Sequence, residues 1–175
     1  MKINQNFIII GLILFAIALR IVPHPPNFTP IGAIGLFAGC YITVKRFWLV
    51  PIIGLLASDL IIGFYNPISM FYVYFSFIIS SFIGYFFLKN KNTPLRLVSA
   101  ALISAILFFI FSNLGVWLSG TIYSLDLSGL IACYLLAIPF FGNTLISELF
   151  YSLILFGSYY FFTQQIEKNQ KFTFK

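Results

Sequence analysis

Apolar residues fill six long runs of this chain, residues 7–22, 30–43, 47–64, 68–88, 97–118 and 143–162, separated by short polar or proline-bearing gaps. Runs of this length predict membrane-spanning helices rather than strands or a water-soluble core. The second run is short. Its 14 residues rise only about 21 Å, at about 1.5 Å each, against a hydrocarbon core about 30 Å thick. It carries Gly32, Gly35, Ala38 and Gly39, and a small-x-x-x-small step lets a neighbouring helix approach closely. Tyr65-Asn66-Pro67 makes a tight turn between the third and fourth runs, and a polar loop at 89–94 joins the fourth and fifth. The longest gap is 119–142. Within it, 129–138 is apolar yet too short to span, and Pro139 is expected to end it as a re-entrant or interfacial helix. The expected architecture is an all-α integral membrane bundle of six transmembrane helices with that extra short helix before the last span. It forms a single transmembrane domain over 1–175, closing in a polar cytoplasmic tail at 163–175.

Charge gives the bundle an orientation. Numbering the gaps alternately puts Lys2, Lys45, Arg46, Lys89, Lys91, Arg96, Lys168, Lys171 and Lys175 on one side, and Arg20 alone on the other. Basic residues mark the cytoplasmic face, so both termini are expected inside and the span count is even. This asymmetry also accounts for the net charge of +6, and no nucleic-acid partner is expected. A chain that is 61% hydrophobic and 8% charged lacks the roughly 25% charge of soluble domains. The first run is read as a retained anchor, although Lys2 and Ala16-Ile17-Ala18 also fit a cleaved signal. Cys40 and Cys133 fall on opposite sides of this topology, so no disulfide is expected between them.

Polar residues inside the spans gather toward the side poor in lysine. Arg20 ends the first span, Asp59 lies in the outer part of the third, and Asn113 and Trp117 share one face of the fifth. Asn143 opens the sixth, with Glu148 on its outer half. Ionisable groups in a bilayer are costly and are functional candidates by default, and their shared depth points to a cavity opening outward. Structural ion pairing of Arg20 with Asp59 or Glu148 is the competing reading. A second candidate is the loop at 23–30, where four prolines stiffen a backbone that carries His24, Asn27, Phe28 and Thr29. We read it as a binding edge or lid rather than a plain connector. The substrate-binding candidates are therefore Arg20, His24, Asn27, Phe28, Thr29, Asp59, Asn113, Trp117, Asn143 and Glu148.

Enzymatic chemistry is not expected. A single His, with no further metal-type cluster, gives no zinc site, and no His lies in a span to activate a serine. No phosphate-binding glycine loop is present. Neither a metal nor a cofactor is predicted.

Several motifs resemble those of a family of small bacterial membrane proteins assigned to transport. They are Arg20-x-x-Pro23-His24-Pro25-Pro26-Asn27-Phe28-Thr29-Pro30, Ser58-Asp59-Leu60, Ser112-Asn113-Leu114-Gly115-Val116-Trp117, Ala132-Cys133-Tyr134, Ile138-Pro139-Phe140-Phe141 and Asn143-Thr144. That family is similar to the substrate-specific S components of energy-coupling-factor (ECF) vitamin transporters. The resemblance implies a multi-pass protein of the bacterial inner (cytoplasmic) membrane that binds a small, vitamin-like micronutrient from outside, with the loop after the first helix as a gate. It also implies an ECF coupling subunit and its ATPases as partners, beside the lipid bilayer and the small-molecule substrate. The first helix departs from the docking pattern of S components. It offers Gly11, Ala16 and Ala18 instead of an Ala-x-x-x-Ala face, which leaves solitary transport open. The alternatives are a proton-coupled secondary carrier in which Asp59 or Glu148 titrates, and a non-transporting membrane scaffold.

Overall fold

A computed structural model describes the backbone of residues 5–173 and the side chains of residues 5–165. Six helices follow one another: α1 (Gln5–Ile21), α2 (Ile31–Tyr41), α3 (Leu49–Ile62), α4 (Pro67–Ile83), α5 (Pro94–Leu118) and α6 (Leu127–Thr173). A single π-helical turn, Gly84–Leu88, extends α4. The helix starts are written locally. Asn66 accepts from the Ile68 and Ser69 amides with Pro67 at the first helical position, and Thr93 accepts from the Arg96 amide ahead of Pro94.

Three segments are long and apolar enough to cross a membrane: Pro67–Leu88, Pro94–Leu118 and the described part of α6. The helices α1, α2 and α3, at 17, 11 and 14 residues, are shorter. Large apolar side chains such as Leu60, Phe71, Phe86, Ile146 and Leu153 point outward around the bundle. An exterior of this kind matches hydrocarbon better than water.

One expectation is overturned. Pro139 does not end a separate short helix, because α6 runs unbroken through it from Leu127. Proline removes one N–H and one helical hydrogen bond, and in an apolar setting every remaining backbone group is best satisfied by continuing the helix. The first turns of α6 instead lie along the C-terminal stretch of α5. There the Tyr134 hydroxyl donates to the Ile110 carbonyl at 2.7 Å and Phe109 packs on Phe141. The helix likewise continues to Thr173 through most of the segment expected as a polar tail. The side chains of Lys2, Lys168, Lys171 and Lys175 lie outside the described residues.

At the centre stands α2. Every residue from Ile31 to Cys40 is buried, with α4 and its π turn, α6, α3, α5 and α1 all packed around it. Such a helix meets no lipid along its flanks, so its shortness costs nothing in mismatch. Close approach to α4 requires glycine on both sides. A methyl at Gly39 would collide with the Ser81 carbonyl and the Tyr85 amide, and one at Gly84 would collide with the backbone of Leu36.

Arg20 and the Asp126 loop mark one end of the bundle. At the other, the Thr43 hydroxyl donates to Gln5, the Asn92 amide donates to the Tyr41 hydroxyl, and Phe47 stacks on Tyr85. Lys45, Arg46, Lys89, Lys91 and Arg96 flank these contacts along the chain, with the Lys89 ammonium over the Tyr85 ring.

Two outcomes follow from this packing. Gly84→Leu is expected to destabilise the protein by about 1–3 kcal/mol or more, read as a lowered melting temperature in detergent. Gly157→Ala, whose added methyl meets nothing within 4 Å, should leave the melting temperature unchanged. At the start of α6, Asp126 accepts from the Gly129 amide (2.7 Å) and from the Ser128 and Ser124 hydroxyls. The Gly129 amide, then the two hydroxyls, hold its carboxyl below the ordinary value of 3.8. Its contribution is therefore full above that value and is lost as pH falls through the lowered folded one. Asp126→Asn should flatten that acid limb in a pH series of melting curves.

Candidate ligand-binding site

Arg20, at the last turn of α1, reaches across to α3. Its Nη1 donates to Asp59 Oδ1 at 2.7 Å, to Ser58 Oγ at 2.6 Å and to the Leu55 carbonyl at 3.1 Å. The Tyr74 hydroxyl donates to the other Asp59 oxygen at 2.8 Å. The Asp59 side chain is 1% exposed and that of Arg20 15%, so the carboxylate is enclosed while the guanidinium keeps one side open. Both carboxylate oxygens have donors, which is the condition for burying a charge at tolerable cost.

The 23–30 loop lies over this cluster and is tied to α6. Asn143 Nδ2 donates to the Pro26 carbonyl at 3.1 Å, and the Ser147 hydroxyl lies 3.4 Å from the Asn27 carbonyl. The Phe28 ring packs on Phe150 and Tyr151. A turn closes through the Phe28 amide and the Pro25 carbonyl at 3.0 Å, and Asn27 takes a left-handed backbone conformation, φ 63°. Asparagine tolerates that region better than most residues. His24 Nδ1 sits 2.9 Å from the Pro25 carbonyl. A carbonyl only accepts, so Nδ1 carries a proton in this contact.

Beneath the loop is a cavity of about 380 Å³, lined by Arg20, His24, Asn27, Thr29 and Tyr65 on its polar side and by Leu55, Ile62, Val73, Phe77 and Phe108 on its apolar side. Phe77 and Phe108, stacked with ring centroids 4.9 Å apart, line its aromatic side. Partial burial pushes the Tyr65 phenol up to about 12, with Asp59 adding to the shift and Arg20 opposing it, so it keeps its proton at neutral pH. A polar rim over an apolar, aromatic body is the usual make-up of a small-molecule pocket. Adjoining it is a chamber of about 10 Å³, walled by Ser104, Thr144, Ser147, Glu148 and Gly32, room for about one water-sized group. The two spaces share Asn27, Thr29, Phe77 and Phe108. Glu148 is buried, and among the described residues its Oε1 has no hydrogen-bond partner; the same is true of Ser152 Oγ, one turn further along α6.

Of the residues singled out from sequence, the fold brings Arg20, His24, Asn27 and Thr29 to the large cavity, sets Asp59 behind Arg20, and puts Glu148 in the side chamber. It does not bring the others to the lining of either space. Asn143 and Phe28 hold the loop to α6. Asn113 donates to the Phe109 carbonyl within its own helix at 2.7 Å, and Trp117 donates to the Ser124 carbonyl at 2.9 Å. Both lie beyond Phe108 toward the C-terminal end of α5, by about 8 Å and about 14 Å at about 1.5 Å per residue, past the point where α5 lines the two spaces. Sequence reading missed Tyr65, Tyr74, Phe77, Phe108, Ser104 and Ser147. With 23 phenylalanines in the chain, no signal singled out two of them. The hydroxyls are legible only once α6 is paired with α5.

Fold and site together define an all-helical bundle of membrane type with a ligand-sized cavity under a proline-rich loop. The chain belongs to a family of unknown function, DUF6580, whose match covers residues 1–170. No curated protein and no solved structure matches it.

Arg20→Ala would strand the enclosed Asp59 carboxylate, at an expected cost of about 3–5 kcal/mol. Removing both partners should cost less than removing the arginine alone. Melting curves of the two single variants and the double variant check this, and strict additivity would argue against the pair.

Proposed function

We propose that this protein is an inner-membrane uptake protein that takes a small organic micronutrient into the cavity under the 23–30 loop from the external side. In this reading all six helices belong to the membrane bundle, both termini are cytoplasmic, and the lysine-rich end faces the cytosol. The observation that carries it is the cavity itself. Its volume of about 380 Å³ lies in the range of small-molecule pockets. Its apolar side, with the stacked phenylalanines, suits the hydrocarbon body of a small molecule, and its polar rim comes largely from the loop and the end of α1. The loop acts as the lid. One hydrogen bond, from Asn143, the approach of the Ser147 hydroxyl to the Asn27 carbonyl, and the contacts of Phe28 with Phe150 and Tyr151 hold it shut. All of them can part while the prolines keep the loop's own shape.

The resemblance to S components adds an ECF coupling subunit and its ATPases as the source of energy, with solitary movement of the bundle as the other route. A proton-coupled carrier is the rival. It rests on Glu148, whose Oε1 is unpartnered, rather than on Asp59, which Arg20 and Tyr74 already occupy.

Mass spectrometry of the gently purified protein is expected to find a copurified small organic molecule. Finding none, with no uptake in reconstituted vesicles, would leave a membrane scaffold as the better reading. With that molecule in hand, His24→Ala and Asn27→Ala should each weaken its binding by about 10-fold, the scale of one lost hydrogen bond in an enclosed site. Unchanged affinity in both variants would remove the loop from the site. Uptake that collapses with the pH gradient would favour the carrier.

A further inference from the structure

Among the described residues, Glu148 is the buried carboxyl that no opposite charge matches. We infer that it forms, with the hydroxyl oxygens of Thr144 and Ser147, a subsite for the protonated nitrogen head, a primary ammonium, of the molecule held in the larger cavity. The inference rests on the uptake reading and names its substrate class: a small organic cation.

Three observations carry it. The first is charge. Arg20, the cationic group at the cavity, is committed to Asp59 at 2.7 Å, which leaves the Glu148 carboxyl as the unbalanced ionisable group. The second is the direction of the hydrogen bonds. The Thr144 hydroxyl donates to the Phe140 carbonyl at 3.3 Å, and the Ser147 hydroxyl to the Thr144 carbonyl at 2.9 Å. With their protons spent, these oxygens offer only lone pairs, as does Glu148 Oε1, which receives no hydrogen bond. Buried polar atoms are normally satisfied, yet among the described residues Glu148 Oε1, beside these two spent hydroxyls, has no donor. The third is size. The chamber of about 10 Å³ takes a group of about one water molecule, which an ammonium matches and a ring or carboxylate does not. The space depends on Gly32, where an added methyl would collide with the carboxyl. The body of the ligand then lies in the adjoining cavity against Phe77 and Phe108.

The test compares three probes of similar size, benzylammonium, benzyl alcohol and benzoate, by calorimetric titration into the purified full chain in detergent, with empty micelles subtracted. Benzylammonium should bind the wild-type protein about 10- to 100-fold more tightly than benzyl alcohol, the worth of a charge-assisted bond, and benzoate should bind least. Glu148→Gln should erase the preference for the cation while leaving benzyl alcohol unaffected. The wild-type ranking decides the matter even if that variant does not fold. Equal binding of the alcohol and the ammonium, or benzoate binding best, would overturn the cation subsite while leaving the uptake reading intact. So would a copurified molecule without a basic nitrogen. Failure of all three probes to bind would also overturn the subsite. Failure of the uptake reading shows separately, as the absence of both a copurified molecule and transport.

Discussion

A helix of 11 residues cannot cross a bilayer unaided, and α2 has no need to, because other helices enclose it from Ile31 to Cys40. That enclosure depends on glycine. At Gly39 and Gly84 the backbones of α2 and the π turn after α4 come so near that neither position admits a side chain. In an apolar medium little hydrophobic force draws helices together, so packing at short range has to do it. The same helix starts directly beneath the 23–30 loop, and Gly32 in its first turn leaves the room that the Glu148 carboxyl occupies. The central packing and the candidate site are thus two consequences of one glycine-rich stretch.

The bundle handles its two buried acids in opposite ways. Asp59 is surrounded by donors from Arg20 and Tyr74, an arrangement that closes the charge off and ties α1, α3 and α4 together at the rim of the cavity. Glu148 sits beside the Ala33 amide and Ser104 yet, among the described residues, keeps one oxygen without a partner. An unmet acceptor in so dry a place is expensive, and a protein that satisfies Asp59 so fully has the means to satisfy a second carboxyl. This contrast separates an acid that holds the fold together from one whose position suits a ligand.

Pro139 shows how the medium changes a sequence signal. In water, proline after a short apolar stretch is a reasonable helix stop. Here a break would expose several backbone groups to a non-polar surrounding, whereas continuing loses a single hydrogen bond. The unbroken α6 carries Asn143, Thr144, Ser147 and Glu148 past the loop in one rigid register, four polar positions within six residues. A hinge at Pro139 would have left that register loose.

By itself the sequence determined the all-helical class and the location of each apolar segment, because helix length and hydropathy are properties of contiguous stretches. It also singled out the first loop, whose His24, Asn27 and Thr29 line the cavity, since prolines packed so densely restrict the backbone without help from elsewhere. Only the tertiary structure decided that Arg20 pairs with Asp59 and not with Glu148. It alone placed Asn113 and Trp117 outside the lining of either space, and chose Phe77 and Phe108 out of 23 phenylalanines as the wall. Those outcomes depend on how far one helix slides along another and which face it turns inward. That relative placement is set by glycine contacts between segments distant in the chain, which no local pattern records.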